Sequence, residues 1–320
     1  VRPRRQPAPP APLRAARATA VVCCALALLA AGCGRSGSPP PRGPQPGSLP
    51  HYRVDRGFSL PSSPSWKQAK SRGHLVIGAK EDQPGTGEKN PANGSYSGFD
   101  IEISRMLAAS LGFDPYRQVE FKAIASANRE TSLQNGQVDF YVGTYTINPG
   151  RKKLVGFAGP YYMAGQRLLV RTDERRIEGP QSLAGRKVCS AVGSTPLQRL
   201  QDEYPKAEAV AYDSYAICVD NLLNDQVDAV TTDDTILLGY AAKDPSQLHV
   251  VGKAFSEEPY GIGVPKKETA LARALDRALL QRERNGDWKR AYDATLGLSG
   301  EPAPQPPPLD RSARELAEES

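Results

Sequence analysis

The chain has 320 residues and a formal net charge of +6 at pH 7. Arg2, Arg4, Arg5, Arg14 and Arg17 all lie near the start, and subtracting these five leaves +1, so the basic balance does not mark a nucleic-acid-binding protein. His51, His74 and His249 are scattered and no cysteine spacing is metal-like, which argues against a zinc site, and no cofactor is expected.

The same five arginines, with no acidic residue among them, open a targeting segment. An apolar run over 18–31 follows, too short to stay in a bilayer as a spanning helix, and no later run is long enough either. It closes on Leu29-Ala30-Ala31-Gly32-Cys33, which resembles a bacterial lipobox, with the leucine one place further from the cysteine than is usual. This implies a signal peptide over 1–32, a lipid on Cys33 and a position on the extracellular face of the cytoplasmic membrane. A plain secretory signal with an incidental cysteine is the alternative. Residues 33–65 are rich in Pro, Gly and Ser and are expected to form a flexible tether. Of five cysteines, Cys23 and Cys24 leave with the signal and Cys33 takes the lipid, so Cys189 and Cys218 remain as one pair in an oxidising setting. A disulfide between them would close a loop of about 30 residues and contribute about 3 kcal/mol in the chain-entropy model.

The rest, about 230 residues, suffices for two compact lobes. The pattern predicts a strand at 75–79, then a helix in which Ile103, Met106, Leu107 and Leu111 share one face. Gly98 ends the preceding turn, and Asp100 and Glu102 fall in the first helical turn, where negative charge suits the helix dipole. A strand at 119–124, a helix through Leu133 and a strand at 138–142 come next. The alternation then restarts: strand 187–192, helix 196–204, strand 209–212, a helix to Asn224, strand 229–231 and a helix to Lys243. Such alternation predicts α/β lobes with mainly parallel sheets flanked by helices. Ligands on such sheets sit at the carboxyl ends of strands. Residues 299–320, beginning with a Pro-rich stretch, are expected to be a disordered tail.

Gly98-Phe99-Asp100-Ile101-Glu102-Ile103 with the SRMLAASLG that follows resembles the signature helix of the bacterial extracellular solute-binding proteins for polar amino acids. KVCSAVGST (187–195) and VDAVTTDDTILLGY (227–240) resemble the glutamate/aspartate-binding branch, including actinobacterial glutamate-binding lipoproteins. The resemblance implies a two-lobe, type II clamshell with crossings near 161–165 and 257–261. It assigns 66–165 and 258–298 to lobe 1 and 166–257 to lobe 2.

A closed site for a free amino acid must pair both a carboxylate and an ammonium, because an unpaired buried charge costs several kcal/mol. By resemblance, Arg151 clamps the α-carboxylate with its planar fork, helped by Thr146. Thr144 offers a carbonyl to the ammonium. A glycine, Gly150, stands where the family carries an acidic residue. Ser194 and Thr195 follow a strand and open a helix, so they close on the same carboxylate or simply cap the helix. Asp233 aligns with the carboxylate that holds the α-ammonium, while Asp234 fits a helix cap better. By resemblance, Lys80 and Arg129 align with cations that meet a side-chain carboxylate, which favours glutamate or aspartate over glutamine by charge, the alternative being solvated surface charges. Tyr215 lines the pocket or belongs to the core.

The expected function is capture of glutamate, with aspartate or glutamine possible, and delivery to an ABC permease and its ATPase by a monomeric lipoprotein. A sensing subunit for a membrane kinase system is the second reading. An enzyme on the same fold, such as a dehydratase, is the third; the chain shows no Ser/His/Asp order or phosphate-binding glycine loop to support it.

Overall fold

The computed structural model describes residues 50–310. The signal segment, Cys33 and residues 311–320 therefore lie outside the described residues. In chain order the elements are α1 (Pro64–Arg72), β1 (Leu75–Ala79), β2 (Asp82–Gln83), β3 (Gly87–Lys89), β4 (Tyr96–Ser97), α2 (Phe99–Ser110), β5 (Val119–Ala123), α3 (Arg129–Gln134), β6 (Phe140–Tyr141), α4 (Pro149–Leu154), β7 (Gly156–Ala164) and β8 (Gln166–Arg171). There follow β9 (Lys187–Ala191), α5 (Thr195–Glu203), β10 (Glu208–Tyr212), α6 (Tyr215–Leu223), β11 (Ala229–Asp233), α7 (Asp234–Lys243), β12 (Leu248–Val251), β13 (Glu258–Val264), α8 (Thr269–Arg284) and α9 (Asp287–Asp293). Among the described residues, no helix is long and apolar enough to cross a membrane.

Two five-stranded sheets carry the fold, ordered β5-β1-β6-β13-β7 and β10-β9-β11-β8-β12. In each, four strands point one way and one runs against them: β13 in the first sheet and β8 in the second. The opposed strand is in each case the one that has just arrived from the other sheet. Strand β7 passes through Gly165 alone into β8, and β12 returns through 252–257 into β13. We refer to the first sheet and its helices as lobe 1 and the second as lobe 2. The crossings run side by side, with Glu258 opposite Ala164.

Helix α2 is the keel of lobe 1. Ile103, Met106, Leu107 and Leu111 are completely buried, as their spacing requires. Phe99 meets Trp288 edge to face with ring centroids 5.5 Å apart, and the Trp288 indole N–H donates to Tyr161 O at 2.9 Å. Asp100 and Glu102 do sit in the first turn, but both are buried with partners of their own. Asp100 accepts from Tyr161 Oη at 2.6 Å and from the Thr144 N–H at 3.0 Å, and Glu102 accepts from Tyr52 Oη at 2.8 Å. They brace neighbouring chain segments rather than serve only the helix dipole. In lobe 2, Cys189 of β9 and Cys218 of α6 are joined by a disulfide with Cα atoms 5.5 Å apart.

Residues 50–63, which lie in the stretch expected to be a tether, are fastened to lobe 1. Tyr52 is buried, Asp55 N–H donates to Ala109 O at 2.9 Å, Arg282 donates to Arg53 O at 3.0 Å, and Tyr116 Oη donates to Pro50 O at 2.9 Å. Ser63 caps α1 and donates to Glu268 Oε2 at 2.7 Å. The described part of the expected disordered tail is also placed: Ala303 and Leu309 pack on the lobe 1 core, and the Asp310 N–H donates to Gly159 O at 2.8 Å. Lobe-derived donors and acceptors satisfy a backbone that looks unstructured by composition alone.

Gly98 precedes α2 with φ +117°, and a Cβ there would stand 2.3 Å from Thr86 O. Gly98→Ala is therefore expected to destabilise the protein by about 1–3 kcal/mol, read as a lower urea midpoint with an unchanged slope.

Candidate ligand-binding site

Lys80, Arg129, Thr144, Thr146 and Arg151 of lobe 1 are all buried. Lys80 follows β1 directly and is 5% exposed, its Nζ donating to Ser126 Oγ at 2.7 Å. Arg129 opens α3, and Thr144 and Thr146 follow β6. Thr144 takes φ +46°, a left-handed conformation unusual for a β-branched residue, and is held there by its N–H bond to Asp100 and by Oγ1 donating to Gln83 Oε1 at 3.1 Å. Thr146 pairs across a lone bridge with Tyr260, whose two hydrogen bonds use Ile147 N and Gly261 N and leave the Thr146 N–H out of the ladder. Arg151 lies in α4, a helix started by Asn148, whose side chain accepts from the Arg151 N–H at 2.8 Å, and by Pro149 in its first turn.

The lobe 2 residues lie at the carboxyl ends of β9 and β11 and at helix starts, as the sheet rule requires. Ser194 caps α5 by accepting from the Leu197 N–H at 3.1 Å. Thr195 Oγ1 donates to Glu258 Oε2 at 2.8 Å and meets Thr146 Oγ1 of the other lobe at 3.3 Å. Tyr215 is buried in the lobe 2 core, with its hydroxyl beside those of Ser190, Ser194 and Thr232. Asp233 Oδ2 accepts from Tyr260 Oη at 2.7 Å, while Oδ1 is buried without a hydrogen-bond partner among the described residues. Asp234 accepts from the Thr235 N–H at 2.8 Å, at the start of α7 and beside the Gly165 crossing.

The lobes meet over these groups. Arg129 Nη2 and Arg151 Nη2 each donate to the carbonyl of Gly193 at 3.1 Å, and both guanidinium groups lie over the ring of Tyr145, at 4.4 and 4.9 Å from its centroid. Arg151 Nη1 also donates to Thr146 O at 2.7 Å, and Arg129 to Ser126 O and Thr144 O at 3.1 and 3.3 Å. The Thr144 carbonyl expected to receive an ammonium is thus already engaged by Arg129.

Two opposite electrostatic imbalances sit side by side. Burial, then the charges of Arg129 and Arg151, push Lys80 down to about 7 against the pull of Asp82 and Asp100. Burial and the neighbouring Arg129 lower Arg151 to about 10, with Glu130 at 3.4 Å as partial compensation. On the other side, burial and the nearby Glu258 carboxylate raise Asp233 to about 8 in spite of its Tyr260 hydrogen bond. The cluster thus has one end short of negative charge and another short of positive charge. Among the described residues, no group of His, Cys, Asp or Glu could hold a metal ion.

Glu258, Tyr260, Glu130 and Tyr145 complete the site and were not anticipated. Glu258 is 1% exposed and shared by Thr195, Ser256 and Arg199. The crossing read at 257–261 held the available signal, since a buried acid at a crossing needs partners from both lobes.

The profile of the bacterial extracellular solute-binding proteins, family 3, matches residues 75–297. The glutamate-binding protein GluB of Corynebacterium efficiens is 40% identical over 253 residues, covering 76% of this chain and 86% of the relative. The ABC transporter glutamine-binding protein GlnH of Bacillus subtilis is 37% identical over 224 residues, covering 70% and 81%. Among solved structures, an ancestral arginine-binding protein bound to arginine superposes with a TM-score of 0.66 at 32% identity, covering 71% of this chain and 99% of that one. The paired sheets, the twofold crossing and the profile match across the whole of both lobes agree, and the chain belongs to the bacterial extracellular solute-binding proteins, family 3.

Proposed function

We propose that the protein captures an acidic amino acid, glutamate first, between its lobes and delivers it to an ABC importer. The observation that carries this reading is the pair of opposed imbalances: Lys80, Arg129 and Arg151 crowd together at one end, and the unpartnered Asp233 Oδ1 lies at the other. A zwitterion with a second carboxylate relieves both at once. Arg151, with Thr146, Ser194 and Thr195, takes the α-carboxylate, and Asp233 takes the α-ammonium. Lys80 meets the side-chain carboxylate, with Arg129 adding charge from its bonds to three carbonyls. Tyr215 forms the lobe 2 wall. The names borne by the similar GluB and GlnH proteins support glutamate or glutamine as cargo and binding, rather than turnover, as the activity. A lipid on Cys33 would hold the receptor at the outer face of the membrane, beside a permease and its ATPase.

Titration calorimetry with free glutamate, aspartate and glutamine tests the reading. Glutamate is expected to bind; no heat and no thermal shift with any of the three at millimolar concentration would overturn it. Lys80→Met is expected to weaken glutamate at least tenfold and glutamine less, erasing the preference that charge creates.

Asp233→Asn is expected to weaken binding about 100-fold or more, the scale of leaving one buried charge unpaired. Its ligand-free stability should move the other way. With the folded-state pKa raised from 3.8 to about 8, the closed form keeps a proton that the unfolded chain releases, so wild-type stability falls as pH rises through this window. The thermal midpoint of Asp233→Asn minus that of wild type should therefore grow between about pH 4 and pH 8 and then level off.

A further inference from the structure

Lobe 1 touches lobe 2 at a second place, beside the charged cluster. The strands β2, β3 and β4 form a small separate sheet inserted between β1 and α2. Its tip lies against the α6–α7 face of lobe 2. Asp82 Oδ2 accepts from the N–H groups of Tyr215 and Ala216 at 3.0 and 3.3 Å, so a lobe 1 carboxylate caps the start of a lobe 2 helix. Tyr240 Oη donates to Asp82 O, and Lys243 pairs with Glu88.

The seat for this tip is Gly239, inside α7. A Cβ on Gly239 would lie 2.0 Å from Pro84 O, well inside van der Waals contact. No positive φ is recorded for Gly239, so its backbone does not itself require glycine. Glycine is unfavourable within a helix, so lobe 2 alone would be better served by alanine. The residue makes sense when the Pro84 carbonyl must come down on the helix.

We infer that Asp82 and Gly239 are positioning residues for ligand capture: they form a clasp beside the charged cluster that is made only when the lobes close and so sets how long the cargo is held. The inference rests on the two-lobe receptor reading above. None of the clasp bonds is covalent and the lobes are joined only by the two crossings, so every clasp contact is lost on opening. A ligand that favours closure gains whatever the clasp contributes, and that gain appears in the dissociation rate. Asp82 also ties the clasp to the pocket, since its charge steadies Lys80 and its acceptor holds the backbone of Tyr215.

The test uses the purified chain, with glutamate as probe, in wild type, Gly239→Ala, Asp82→Ala and Asp82→Asn. Gly239→Ala is expected to weaken glutamate at least tenfold through faster dissociation, with the association rate within about twofold of wild type. Asp82→Ala is expected to do the same to binding, and Asp82→Asn, which keeps an acceptor oxygen, to fall between. A Gly239→Ala protein that binds and releases glutamate like wild type overturns the clasp. If that variant fails to fold, Asp82→Ala decides by the same rates. If wild type binds none of the amino acids, the cargo reading fails separately, and the clasp is judged by small-angle scattering of the ligand-free chains. A larger radius of gyration for Gly239→Ala than for wild type supports it, and equal radii overturn it.

Discussion

One carbonyl oxygen of lobe 2 takes a hydrogen bond from two guanidinium groups of lobe 1. Gly193 presents it because its backbone adopts φ +75°, and because a Cβ there would strike the Ala127 backbone of the opposite lobe at 2.6 Å. Two like charges drawn to one acceptor and one tyrosine ring are held together against their mutual repulsion. Much else in the site goes with this crowding: the low pKa of Lys80, which burial sets and the Arg129 and Arg151 charges deepen, and the pairing of Arg151 with Glu130. Binding proteins of this kind keep charges buried at a cost to their own stability, and a matching ligand offsets that cost.

The strain in the backbone is placed for the same purpose. Thr144 is turned into a left-handed conformation by a bond to Asp100, a carboxylate that burial raises to about 7. Asp100 in turn belongs to the first turn of α2, the keel of the lobe. The geometry of the binding rim is thus set by the packing of the core, through one buried side chain with two hydrogen bonds.

Much of this was legible in the residues. Apolar spacing located α2, and strand–helix alternation located β1, β5, β6, β9, β10 and β11, the parallel run of each sheet, but not β7, β8, β12 or β13, where no helix stands between β7 and β8 or between β12 and β13. Polar residues that follow strands stand out in sequence because a strand end is visible there, and Lys80, Asp233 and Ser194 do stand at or just after strand ends. Other features depend on tertiary pairing and leave little local trace. Strands of two or three residues, as in β2, β3 and β4, are too short for a period to register. Glu258 and Tyr260 owe their roles to a partner arriving from the other lobe. Helix α8 buries Leu271, Leu275 and Leu279 at helical spacing, a pattern present in the residues that the alternation ending at Lys243 does not reach. The Pro-rich flanks misled because proline and glycine report an inability to form regular elements, not an inability to lie against a neighbour. Asp100 shows a subtler gap: its position in a helical turn was plain, yet whether a carboxylate at that turn faces water or the core depends on Tyr161, 61 residues later.

Both ends of the described chain are bound to the same half of the molecule. Pro50 is held through Tyr116, and Asp310 through Gly159. Lobe 2 is an insertion between two strands of lobe 1 and has no free end. The hinged half can swing while the half carrying the attachment points stays still, much as a jaw moves on a fixed skull. A shift of lobe 2 therefore reaches the ends of the described chain only through the two crossings, and pulls on neither end directly.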